Sequence, residues 1–306
     1  MSFKLNPSQH AGDEIVRTIR DQIGAATKAV RNPRMALFKR VHLARTCCKK
    51  ARAALQLLRT LVPAGFRTEN RAIGDAARGL SALRDAEAII GCLDALLTHY
   101  AAKVERRQFV PVIHALQKER KRAIPPSADV EDSLKRFVDR LAGSDARLGQ
   151  WKPNDDAESI IADHRRTYRR ARRRLQRAKE MGTATAFHEW RIATKAYYHQ
   201  CQLLRATWPP VMKVIRAEVK TLANLLGDDH DLTVLRDALR RLRKQGRLEI
   251  REELLITTVG LVETRREELR QQALPLGERI YADRSRAVAE RMAEWWRVAR
   301  NQPTRV

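Results

Sequence analysis

Apolar residues recur along this chain at steps of three and four, the period of a helix with one buried face. In 33–62 the stripe is Val41, Ala44, Cys48, Ala51, Leu55, Leu58 and Val62. It predicts a helix opened by Asn32 as cap and Pro33 in the first turn, and closed by Pro63 and Gly65. A second stripe, Phe187, Trp190, Tyr197, Cys201, Leu204 and Trp208, predicts a helix over 184–208 that stops at Pro209 and Pro210. The same period predicts helices over 8–31, 67–99, 101–123, 128–142, 156–181, 211–226, 230–245, 248–273 and 276–300. Pro111 is expected to kink or break its helix, Pro125 and Pro126 to form a loop, and 143–156 to be a linker. No segment alternates with period two, so the chain reads as all-α.

The pattern repeats itself. At an offset of 146 residues the 22-residue window starting at His42 shares eight identities with the one starting at His188. They are His42/His188, Arg45/Arg191, Lys49/Lys195, Gln56/Gln202, Leu57/Leu203, Leu58/Leu204, Arg59/Arg205 and Pro63/Pro209. The register continues through Ala77/Ala223, Leu80/Leu226, Asp85/Asp231, Leu93/Leu239 and Leu96/Leu242. A duplicated helical unit follows, with 1–147 as the first copy and 148–306 as the second, together one domain.

Charge adds a statement about partners. The 306 residues carry 61 Lys+Arg against 36 Asp+Glu, a net charge of +25. It divides into +13 for 1–150 and +12 for 151–306, so basicity belongs to both copies and not to a tail. A polyanion is the expected partner: DNA, RNA, an anionic membrane surface or inorganic polyphosphate. Of the basic residues 46 are Arg, whose planar fork matches phosphate oxygens, although a preference for Arg codons would also raise this share. Apolar runs such as 254–256 are too short to cross a bilayer, and the first residues lack the apolar core of a secretory signal. Cys47, Cys48, Cys92 and Cys201 have no paired spacing and read as reduced side chains of a cytoplasmic protein.

Part of the charge is ordered. His42, Arg45, Lys49, Arg52, Gln56 and Arg59 follow one another at +3 and +4 steps, so they share one helix face beside the apolar stripe. The second copy repeats the ladder as His188, Arg191, Lys195, Tyr198, Gln202 and Arg205. Like charges so stacked repel unless an anion, or carboxylates from a neighbouring helix, lie along them. The helix opening copy two holds eight Arg within 165–177, among them Arg165, Arg169, Arg172 and Arg173; copy one has Arg17, Arg20, Lys28 and Arg31 there. The stretch 263–270 reads as exposed. Asp228, Asp229, His230 and Asp231 read as a turn between helices with an acidic cap, not as a metal site. No nucleophile–base spacing, metalloprotease helix or Gly-rich phosphate loop occurs, so no catalysis, metal or cofactor is expected.

These residues resemble a known family. His42, Arg45, Lys49, Lys50 and Arg52 resemble the signature of the CHAD (conserved histidine α-helical domain) family, and 187–195 resembles its second signature. The 226–232 stretch and 80–85, with Arg84 and Asp85, are similar to its leucine–glycine…arginine–aspartate turn, and the Tyr168 to Arg172 spacing resembles the motif opening its second half. The resemblance spans about 8–300. It implies two pseudo-two-fold-related antiparallel helical bundles, of about four long helices each, around a central basic channel. It implies non-catalytic binding of inorganic polyphosphate, and association of some members with polyphosphate granules. The implied phosphate contacts are Arg17, Arg20, Lys28, Lys39, His42, Arg45, Lys49, Lys50, Arg52, Arg84, Arg165, Arg169, Arg172, Arg173, His188, Arg191 and Lys195. This sequence departs from the pattern at Ala196 and Tyr198, opposite Lys50 and Arg52, and at His230, where Arg is usual. Members are often fused to a triphosphate-tunnel β-barrel enzyme, of which this chain shows no strands or acidic metal motif. A nucleic-acid-binding module and an accessory subunit of a phosphate-chain enzyme are the competing expectations. Nucleic acid is expected as the weaker competitor, since the 5% aromatic residues sit on packing stripes and offer no interleaved stacking platform.

Overall fold

The computed structural model describes residues 3–80, 82–123 and 126–301, with the side chains of 82–87 and 123 outside the description. All regular elements among the described residues are helical. In chain order they are α1 (Ala11–Val30), α2 (Leu37–Leu55), α3 (Pro63–Gly79), α4 (Ala82–His99), α5 (Val110–Ala123), α6 (Ser127–Leu148), α7 (Ala157–Met181), α8 (Ala184–Leu203), α9 (Pro209–Lys244), α10 (Glu252–Ile280) and α11 (Ser285–Asn301). Short 3₁₀ turns, Gln56–Leu58 and Leu204–Ala206, follow α2 and α8. No helix among the described residues is long and apolar enough to cross a membrane.

Boundaries differ from the sequence pattern where side chains act locally. Asn32 does not cap a helix at Pro33: its Oδ1 accepts the Arg34 N–H at 3.0 Å, which makes a turn, and α2 starts four residues later. The segment 67–99 is two helices, because α3 begins early with Pro63 in its first turn and ends at Gly79. Pro111 kinks nothing, since it stands in the first turn of α5, where its missing N–H has no helical partner to lose. The α6 helix runs six residues past 142 and shortens the linker to 149–156. Asp156 then caps α7, accepting the Ser159 N–H at 3.0 Å, and left-handed Gly182 ends it. The acidic stretch 228–231 is not a turn: α9 runs unbroken through Gly227. Asp229 turns into the interior and accepts from Arg266 Nε at 3.2 Å and Arg270 Nε at 2.9 Å. The 263–270 stretch is accordingly not a free surface, for Arg266 is buried. Likewise α10 continues through Pro275, with buried Ala273 and Gly277 packed on either side of it.

Two hydrophobic cores result, and each draws on both halves of the sequence. The larger joins α1, α2, α3 and α6 to α7, α8, α11 and the first half of α9. Its centre is aromatic: Tyr168, Tyr197 and Tyr281 meet at ring-centroid distances of 5.4 to 5.9 Å, beside buried Trp190 and Trp296. The smaller core joins α4 and α5 to the second half of α9 and most of α10. A buried polar tie crosses the larger core. His164 Nδ1 meets Gln200 Oε1 at 3.0 Å, and Gln200 Nε2 donates to the Ala53 carbonyl at 3.1 Å, which links α7, α8 and α2.

Two glycines of α10 respond in opposite ways to a methyl group. A Cβ on Gly277 overlaps the Trp190 ring, whereas one on exposed Gly260 meets no atom within 4 Å. Gly277→Ala is therefore expected to destabilise by about 1–3 kcal/mol through overpacking. Gly260→Ala is expected to stabilise by about 0.5–1 kcal/mol through lost chain entropy in the unfolded state. Denaturant unfolding of both variants checks the signs.

Candidate anion-binding groove

The ladders approach each other across a groove of about 490 Å³ between α2, its 3₁₀ turn, α3, α7 and α8. Lys49, Arg52 and Arg59 line it from the first copy, Arg191 and Lys195 from the second. Helix α7 adds Arg166 and Arg170, on the face that also carries Asp163 and Thr167 at steps of three and one turn later. Asp163 is the sole carboxylate among the described lining residues, against seven Lys and Arg.

That carboxylate is already used. Asp163, buried, accepts the Thr60 N–H at 2.8 Å, the Thr60 hydroxyl at 3.0 Å and Arg166 at 2.5 Å. It thereby holds the end of the first ladder against the helix that opens the second copy. Arg52 finds a neutral partner, Asn70 Oδ1 at 3.0 Å, and lies against Gly74 of α3. The Arg59 guanidinium stands over Phe66, 5.5 Å from the ring centroid. Arg170 makes no hydrogen bond or ion pair among the described residues. Burial lowers the pKa of Arg170, and the neighbouring Arg174, Arg52 and Arg59 charges lower it further. Burial also lowers that of Arg52, with Arg78 adding to it. These guanidiniums strain against one another in a place where a bound anion would relieve them.

At one end stands His199, whose Nδ1 meets Gln202 Oε1 at 3.1 Å. Burial pushes its pKa down to about 4 against that hydrogen bond, and Lys50, Lys195 and Lys49 push the same way, so the ring is neutral at pH 7.

Other expected contacts lie elsewhere. Arg17, Arg20 and Lys28 line a separate groove of about 1040 Å³ between α1 and α6. There Arg17 pairs with Glu14 and Asp21, and Arg20 with Asp145 at 2.8 Å. Arg165 points towards the start of α11, with Ser285 Oγ at 3.4 Å, and Arg172 acts on Tyr168 beside Asp283. Arg169 and Arg173 are exposed on α7, Lys39 is exposed at the start of α2 beside Phe38, and His42 is exposed further along that helix. Arg45 donates to the Ala77 carbonyl of α3, and Lys50 sits 5.3 Å from the Phe3 ring centroid. The Arg84 and Asp85 side chains lie outside the described residues. His188 meets His230 of α9, Nδ1 to Nδ1 at 3.1 Å; burial lowers the His188 pKa and Arg191 lowers it further. Among the described residues no three His, Cys, Asp or Glu side chains gather as a metal site. The eight-Arg run holds a signal that the expected set passes over. The steps from Asp163 to Arg166, Thr167 and Arg170 pick out the groove-facing pair.

Comparison with known proteins gives a consistent picture. The family model described as CHAD domain matches residues 14–240. The crystal structure of the CHAD domain from the plant Ricinus communis superposes with a TM-score of 0.62 at 17% identity, covering 93% of this chain and 95% of that one; at this identity the likeness is one of fold. No curated protein matches the sequence.

The buried histidines make stability depend on pH. Burial pushes the His164 pKa down to about 4, as at His199, from about 6.5 in an unfolded chain. The unfolded chain then binds the proton first, so this contribution is intact above about pH 6.5 and is lost as pH falls towards 4. Thermal unfolding across this range should show the loss, and His164→Gln should flatten it.

Proposed function

The chain belongs to the CHAD family, and from that premise we propose that it binds inorganic polyphosphate without transforming it. The observation that carries this reading is the set Arg52, Arg59 and Arg170, three guanidiniums gathered without a carboxylate between the two ladders. A flexible chain of phosphates, one charge per internal unit, supplies closely spaced anions and asks for no base recognition. The only aromatic ring lining the groove, Phe66, lies under Arg59 and is not arranged in a series for stacking bases. In this reading the groove belongs to a central basic channel between two related bundles, 1–147 and 148–306. The protein works in the cytoplasm, including at polyphosphate granules.

Binding is mainly electrostatic and falls steeply with salt. Arg52→Glu with Arg170→Glu should weaken polyphosphate binding by about tenfold or more at fixed salt. Arg107→Glu with Arg286→Glu, at sites 83% and 80% exposed, should change it little. Titration of both pairs decides the matter: equal losses would mean that general basicity does the binding. Polyphosphate should displace DNA while DNA fails to displace polyphosphate; the reverse order supports a nucleic-acid module. Release of phosphate in the presence of Mg²⁺ or Mn²⁺ would overturn the non-catalytic reading.

A further inference from the structure

The groove does not continue freely past His199. Residues 3–5, which precede α1, are laid against that end. Leu5 donates its N–H to the Leu203 carbonyl at 2.9 Å, and the Phe3 carbonyl accepts from Arg205 Nη1 at 2.6 Å. The Phe3 ring meets His199 edge-on at 6.3 Å between centroids, and the Lys50 ammonium stands 5.3 Å from its centre. Phe3 is 8% exposed and Leu5 1%, so both are part of the larger core.

The consequence is an asymmetry between the ladders. At the Arg59 end, guanidiniums face open space without carboxylates. At the other end, Arg205 and Lys50 are engaged by a neutral carbonyl and a neutral ring. Between the two stands an uncharged imidazole, tied to Gln202, which in turn donates to the Tyr198 hydroxyl at 3.0 Å. An anionic chain running along the cations from Arg59 therefore meets a wall of neutral groups.

We infer that residues 3–5, with Phe3 as the decisive side chain, close the groove at His199, so that the site takes a short polyphosphate or the end of a long one and does not thread the chain through. This rests on the polyphosphate reading and names the form of ligand that the same site accepts. Seven lining cations less one carboxylate leave six charges to neutralise. At one charge per internal unit, the bound length is about six phosphates.

The test is a series of polyphosphates of defined length, titrated at several salt concentrations. For the native chain the slope of log K against log salt should steepen with length up to about six units and then hold near about −4, using the single-strand coefficient of about 0.7 per contact. Phe3→Ala opens the wall, gives Lys50 and Arg205 to the ligand, moves the plateau to longer chains and steepens it by about 1.4. Phe3→Leu keeps the wall and the native plateau. Unchanged binding of a four-unit chain and a retained thermal transition show that Phe3→Ala still folds with its groove intact. A native slope that goes on steepening with length overturns the closed end, whatever the variants do. So does a plateau that Phe3→Ala, still binding four units, leaves unmoved. If no chain of any length binds, the polyphosphate reading itself fails, and that outcome is distinct from either.

Discussion

Everything about this molecule turns on the repulsion among cations that the fold forces together. A guanidinium in water is cheap, but one that is half-buried beside three others is not. Arg170 shows the conflict most plainly, because burial and the Arg174, Arg52 and Arg59 charges all act to remove its proton. A protein selected only for stability would place carboxylates there, as it does on α1, where Arg17 bridges Glu14 and Asp21. The groove instead spends its one carboxylate, Asp163, on fastening Thr60 and Arg166. Its remaining charge is left facing solvent and available to a polyanion.

The scaffold tolerates this because the two halves are fused by apolar packing behind the groove. Neither half has a core of its own. Helices α1, α2 and α6 share one with α7, α8 and α11, and the polar tie from His164 through Gln200 to the Ala53 carbonyl fixes the register in which α2 meets α8. Lys49 and Arg52 on one helix and Arg191 and Lys195 on the other are held at a set separation by residues that never touch solvent.

Helical class, the repeat and the two ladders were legible in the sequence because each is a local periodicity. The helix starts at Pro63 and Pro209 sit one repeat apart, as do the 3₁₀ turns after α2 and α8 to within two residues. What sequence reasoning missed is non-local. Asp229 looked like a cap because its partners, Arg266 and Arg270, lie a whole helix away. The α7 arginines could not be divided into groove-facing Arg166 and Arg170 and outward Arg165 and Arg172 until Thr60 and Ser285 were placed on opposite sides of the helix. Arg17 and Arg20 belonged by homology of position to the binding set, but neighbouring acids of α1 and α6 had claimed them.

The copies also differ where the chain passes from the larger core to the smaller. In the first copy the passage is broken, α3 ending at Gly79 and α4 beginning at Ala82. In the second, α9 makes it as one helix, with Leu222 and Leu226 in the larger core and Leu232 and Leu235 in the smaller. A continuous helix is stiff in bending, and a junction is not. The second copy is thus a beam and the first an articulated joint, so a disturbance in the smaller core is carried by α9 to the helix that packs against Arg191, and dissipated on the α3 side before it arrives at Arg52.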